Sequence, residues 1–161
     1  MYTEPNNYIC DSVEQTALLA KTFVEIALAS FRCAPAIVLL EGAVGVGKSV
    51  FVRHALHALG VDTQLIISPT FTLINEYEIS NAPAHSHSTN TAYHADVYRL
   101  QSDEALLALD FDSCVKDGFV FVEWAQNFAR NKYPMPQYCI VFSTPSAEAP
   151  NKRMIDIAYY E

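Results

Sequence analysis

Apolar residues fall along this chain in two kinds of stretch, short unbroken runs suited to strands buried on both faces and longer amphipathic segments suited to helices. Ser12 opens the first helix with Gln15 in the capping-box position, and Leu19, Phe23 and Ile26 follow at the i, i+4, i+7 spacing of one buried face. Pro35 stops helical continuation, and Ala36 to Leu40 reads as a buried strand. A glycine-rich turn and a second helix, Lys48 to Leu59, come next, closed by Gly60. Phe71 to Glu78 and Ala92 to Tyr98 are strand candidates on either side of the polar stretch Ser80 to Thr91, which reads as a surface loop. A short helix is predicted over Ser102 to Leu109, with Asp103 and Glu104 favourable in its first turn. Phe119 to Val122, Tyr138 to Phe142 and Met154 to Tyr159 complete the strands, the last two separated by the loop Ser143 to Asn151. This alternation predicts an α/β sandwich with helices on both faces of a mainly parallel sheet. The closely spaced strands before Asp96 add some antiparallel pairing.

Composition sharpens this picture. With 161 residues, 51% hydrophobic and 17% charged, residues 1–161 are expected to form one well-filled domain. The net charge is −8, and the 10 Lys and Arg are scattered from Lys21 to Arg153, so the chain lacks the basic cluster that grips a polyanion. No apolar run approaches the roughly 20 residues of a membrane helix, so no span is expected. The N-terminus lacks the basic-then-apolar order of a secretory signal, and the expected compartment is the cytoplasm. The 4 cysteines contain no C-x-x-C pair and read as reduced thiols.

The densest chemistry lies in Gly42-Ala43-Val44-Gly45-Val46-Gly47-Lys48-Ser49, a full match to the Walker A pattern G-x-x-x-x-G-K-[ST], placed between a strand and a helix as its mechanism requires. Backbone N–H groups over Val44, Gly45, Val46 and Gly47 turn toward the phosphates of a nucleotide, Lys48 neutralises the β and γ phosphates, and Ser49 ligates Mg²⁺. A mere tight turn would explain neither Lys48 nor Ser49. Glu123 follows the strand Phe119 to Val122, at the carboxyl end where α/β sheets bind ligands, and so occupies a Walker B position. Asp96 sits in a similar strand-like stretch, with Arg99 as its partner if its role were structural. Either carboxylate could orient the attacking water. Ser68-Pro69-Thr70-Phe71-Thr72 is a rigid turn whose Thr70 and Thr72 suit a switch that senses the γ phosphate. His54 with His57, and His85 with His87, lack a third ligand and read as solvated histidines, while His94 reads as support for the strand near Asp96.

GAVGVGKS, then SPTFTLINEY from Ser68 to Tyr77, HADVYRL from His94 to Leu100 and VEW from Val122 to Trp124 together resemble the TsaE family, the small ATPase of bacterial tRNA threonylcarbamoyladenosine synthesis. The resemblance implies a P-loop NTPase fold using ATP and Mg²⁺. It further implies work with TsaD and TsaB in attaching a threonylcarbamoyl group to adenosine 37 of tRNAs that read ANN codons, the ATPase sustaining turnover and tRNA being met only through the complex. By carry-over Lys48 holds phosphates, Ser49 and Glu123 serve the metal, Asp96 lies at the nucleotide, and Thr70 and Thr72 belong to the switch-like segment. Trp124 stands beside the site, with Val13 and Lys152 on the adenine side. Ser49 in place of the family's usual Thr keeps the hydroxyl, Val46 adds bulk where Ala is usual, and Ser80 to Thr91 resembles an insertion. Two rival readings are a small-molecule kinase, weakened by the lack of an Arg-rich lid between Asp110 and Arg130, and a non-enzymatic nucleotide-binding module.

Overall fold

A computed structural model describes residues 4–30, 36–69, 71–80, 90–100, 111–127, 137–145, 149 and 151–160. Its strands are β1 (Asn6–Cys10), β2 (Ala36–Glu41), β3 (Ile74–Glu78), β4 (Thr91–Asp96), β5 (Phe119–Glu123), β6 (Gln137–Ser143) and β7 (Arg153–Tyr160). The helices are α1 (Val13–Ser30), α2 (Lys48–Ala58) and α3 (Phe111–Asp117). The predicted helix Ser102 to Leu109 and nearly all of the Ser80 to Thr91 loop lie outside the described residues.

Ser12 caps α1 by accepting the Gln15 N–H at 3.3 Å, and Gln15 Oε1 accepts the N–H of Asp11 at 2.7 Å. The capping box therefore closes on the residue before the cap. Thr16, Ala20, Phe23, Val24 and Ala27 form the buried face of α1, whereas Ile26 is 54% exposed. At 100° per residue the stripe is centred between Phe23 and Ala27, which turns Ile26 out of it. The expected Phe71 to Glu78 strand starts later, at Ile74, because Phe71 to Leu73 form a turn.

The seven strands make one sheet in the order β1-β7-β6-β2-β5-β4-β3. The inner strands β6, β2, β5 and β4 are parallel, while β1, β7 and β3 pair antiparallel at the flanks. β1 was not foreseen, since only Cys10 of its five residues is buried. Val38, Leu40, Phe121 and Ile140 pack beneath α1 and α2 with Phe51, Val52 and Leu56. Ile37, Leu39, Val120 and Val122 point to the other face, covered by Phe111 and Val115 of α3. Period-2 alternation along fully buried strands thus gives helices on both faces of a mainly parallel sheet, as expected. Among the described residues no helix is long and apolar enough to cross a membrane.

Candidate functional site

Because β2, β4 and β5 run parallel, their carboxyl ends open on one edge of the sheet. The register sets Leu40 beside Glu123 and Glu123 beside Asp96, so two carboxylates from distant sequence lie side by side at the carboxyl end of β2. The Walker loop leaves β2 at that edge and feeds α2. Gly47, with φ 113°, occupies the cap position of α2, and Gly42 has φ 138°. A Cβ on Gly42 would sit 2.6 Å from the Phe142 carbonyl oxygen, so glycine is required there for close approach as well as for φ. The bulk of Val46 is absorbed in the core at 5% exposure.

Lys48 is only 4% exposed. Its ammonium donates to the carbonyls of Gly42 at 2.7 Å and Ala43 at 2.8 Å, and lies 3.8 Å from the centre of the Trp124 ring. Burial pulls this ammonium below the usual lysine range, and the carboxylates of Glu123 and Asp96 pull it back up. Glu123, 3% exposed, is held at both oxygens: Oε2 accepts the Ser49 hydroxyl at 2.8 Å and Oε1 meets His94 Nε2 at 2.7 Å. Asp96 is half-buried and accepts the Tyr98 N–H at 3.0 Å. Arg99 lies with its guanidinium 5.3 Å over the Phe71 ring, a cation–π contact in place of the Asp96 pairing that a purely structural Asp96 would have suggested. Trp124 has φ 66°, a strained backbone for a bulky residue, and packs against Tyr98 in a tilted ring contact with centroids 4.7 Å apart.

Two adjoining cavities form a trough over the loop. The inner one, about 250 Å³, is lined by Val44, Gly45, Gly47, Lys48, Ser49, Val50, Ser68, Asp96, Glu123 and Trp124. The outer one, about 340 Å³, is lined by Asp11, Ser12, Val13, Thr16, Gly45, Val46, Gly47, Val50, Phe142, Asn151 and Arg153. A larger groove of about 780 Å³ between α1 and α2 contains none of the motif residues.

The sequence-derived set therefore converges, with three qualifications. Lys152 does not line the trough; it pairs with Asp11 at 3.3 Å, and the neighbouring Arg153 takes the place at the cavity, donating from Nε to the Val46 carbonyl at 2.7 Å. Thr72 is exposed and donates to Asn75 Oδ1 at 2.6 Å, outside the cavity lining, whereas Ser68 of the same segment lines it. Thr70 lies outside the described residues. Arg153 carries no motif that marks it, Ser68 belongs to the SPTFT turn whose threonines drew the switch reading, and His94 declares its contact with Glu123 only in three dimensions.

The donor set fits a hard divalent cation bound together with phosphates. Ser49 and Glu123 supply neighbouring oxygens, the ligand type Mg²⁺ takes. Among the described residues no group of three or more His, Cys, Asp or Glu could hold a metal unaided, so such an ion would complete its sphere from phosphate and water. Lys48 and the N-terminus of α2 provide the positive field for the anion.

A family model described as Threonylcarbamoyl adenosine biosynthesis protein TsaE matches residues 10–155. The tRNA threonylcarbamoyladenosine biosynthesis protein TsaE of Rickettsia felis is 37% identical over 119 residues, 73% of this chain and 61% of that protein. Those of Treponema pallidum and Bacillus subtilis are each 35% identical, over 66% and 70% of this chain and 70% and 61% of their own lengths. The chain thus spans about 61% of the length of the Rickettsia felis relative. The crystal structure of Bacillus subtilis YdiB superposes with a TM-score of 0.63 at 25% identity, covering 98% of this chain and 86% of that one. The chain belongs to the TsaE family, whose name places it in the biosynthesis of tRNA threonylcarbamoyladenosine.

Proposed function

We propose that residues 1–161 act as a single P-loop ATPase domain, Mg²⁺-dependent and cytoplasmic, that sustains turnover of a TsaB–TsaD complex during threonylcarbamoylation of adenosine 37 in tRNAs reading ANN codons. The observation that carries this reading is the meeting of Lys48, Ser49 and Glu123 at a glycine-rich loop on the carboxyl edge of parallel strands.

The phosphates of ATP enter the inner cavity, where the amides over Val44 to Gly47 and the N-terminus of α2 receive them. Lys48 exchanges the Gly42 and Ala43 carbonyls for phosphate oxygens, trading neutral acceptors for charged ones. Ser49 and Glu123 present their oxygens to the metal side of the phosphate chain. Held by these two residues, Mg²⁺ would supply charge neutralisation for the developing transition state. Asp96, half-buried beside Glu123, orients the attacking water. Trp124 roofs Lys48 and limits solvent access on that side. Adenine and ribose extend along the outer cavity past Val13 toward Asn151 and Arg153. The segment from Ser68 through Thr70 and Thr72 reports the γ phosphate to the partners. A chain of net charge −8 meets tRNA through TsaD and TsaB, not by its own surface.

The test is multiple-turnover tRNA threonylcarbamoylation by purified TsaD and TsaB with the wild-type chain, with Lys48→Ala, or with neither. Only the wild type should sustain repeated rounds. Equal turnover in all three mixtures would remove the accessory-ATPase role.

A further inference from the structure

His94 is 2% exposed in the central part of β4, its backbone in register with Asn75 of β3 and Phe121 of β5. Strand alternation puts it on the α2 face of the sheet with Ala92, since Tyr93 and Ala95 pack on the opposite side. Burying an imidazole is unfavourable unless its nitrogens are paired. Here Nε2 meets Glu123 Oε1 at 2.7 Å, and Nδ1 has no partner among the described residues. A side chain that only filled space would leave no such unpaired nitrogen, and an apolar residue of similar volume would be cheaper to bury. The one polar contact His94 makes is aimed at a carboxylate whose other oxygen holds Ser49 at 2.8 Å.

We infer that His94 is a positioning residue for Glu123: it pins Oε1 so that Oε2 stays directed at Ser49 and at the metal side of the nucleotide. The inference rests on the ATPase reading above. A carboxylate oxygen accepts hydrogen bonds, so for His94 to pin Oε1 the imidazole must donate from Nε2. With Oε1 fixed, rotation of the carboxyl group about its last torsion is blocked, and the orientation of Oε2 follows. Groups that orient metal-ligating side chains in this way typically contribute about 10- to 100-fold in metal affinity.

The experiment compares wild type, His94→Phe and His94→Gln, whose amide nitrogen can restore a donor near the original position. Three quantities are read: ADP affinity in EDTA, the Mg²⁺ concentration giving half of the metal-dependent gain in ATP affinity, and the imidazole ¹⁵N spectrum of the wild type. His94→Phe should raise the Mg²⁺ requirement about 10-fold or more while ADP affinity in EDTA stays within about 3-fold. His94→Gln should recover most of the difference. An unchanged Mg²⁺ requirement in the Phe variant, a parallel loss of metal-free ADP affinity, or no advantage of Gln over Phe would overturn the inference. If the Phe variant does not fold, the wild-type spectrum decides. A proton on Nε2 whose resonance moves on addition of Mg²⁺ and ADP supports the role, and an Nε2 that carries no proton refutes it. A wild-type chain that binds no nucleotide at all would bring down the ATPase reading, and this inference with it, whereas normal metal-dependent binding with an indifferent His94→Phe defeats the inference alone.

Discussion

The two halves of the trough are built on opposite principles. In the inner half Lys48 and Glu123 are 4% and 3% exposed, and each polar atom is held by a short contact from a different element. In the outer half Val13 is 56% exposed and the Lys152 to Asp11 pair is open to solvent, with side chains 40% and 59% exposed. Desolvated charges interact strongly and are costly to strand, whereas wet ones are screened and worth little. The inner half is therefore where affinity and chemistry should be concentrated, and the outer half should tolerate change.

Lys48→Ala should break this contrast most severely. It removes two charge-assisted contacts to phosphate at about 1.5–3 kcal/mol each, so nucleotide affinity measured by calorimetry should fall about 100-fold or more. The ammonium is the binding form, and burial lowers its pKa from the ordinary 10.5. Affinity should accordingly hold at neutral pH and begin to decline at a lower alkaline pH than for an ordinary lysine. Glu123→Ala should separate the inner residues from one another: ATP hydrolysis should drop by about 10²- to 10³-fold while nucleotide affinity at saturating Mg²⁺ changes by less than about 3-fold. Because that variant strands both Ser49 and His94, Glu123→Gln is the control for mere loss of packing. Equal loss of affinity in the Lys48 and Glu123 variants would erase the division of labour between them.

The same contrast explains what the sequence made legible. Inner residues are chosen by chemistry that admits few types, so Gly47, Lys48, Ser49 and Glu123 could be read as motif before any geometry was known. The inner strands were legible because burial on both faces leaves long apolar runs such as Ala36 to Leu40. β1 was not, since an edge strand that buries only Cys10 carries almost no apolar signal. Ile26 was misplaced because a stripe on α1 only about one residue off centre looks equally periodic. Lys152 was one position away from the residue at the cavity: at the start of a strand, adjacent side chains point to opposite sides, so a slip of one residue exchanges a trough residue for a rim residue. His94 and Glu123 are joined by sheet register across 29 residues, which no local pattern displays.

Arg153→Ala probes the boundary between the halves. Its guanidinium braces the Val46 carbonyl at 2.7 Å and borders the outer cavity, so its loss loosens the loop without removing phosphate charge compensation by Lys48. One charge-assisted hydrogen bond, partly open to solvent, is worth about 1.5 kcal/mol at most here, and ATP affinity should fall about 3- to 10-fold. KM should rise with kcat nearly unchanged. A kcat effect as large as that of Glu123→Ala would move Arg153 into the inner half.

Lys152→Ala should give the smallest change, and its sign is informative. The Lys152 to Asp11 pair spans 3.3 Å at the rim, and exposed pairs contribute about 0.2–1 kcal/mol. Removing Lys152 leaves the Asp11 carboxylate unpaired beside the outer cavity, where it repels a bound polyphosphate through solvent. ATP affinity should therefore fall by no more than about 3-fold at low salt and return toward wild type as added salt screens the repulsion. If the carboxylate is the cause, the double variant Asp11→Asn with Lys152→Ala should bind ATP about as well as wild type, and the two substitutions will not be additive. If Lys152 instead contacts the nucleotide directly, the double variant will keep the loss of the single variant at low salt. That result would extend the tightly held part of the trough out to its rim.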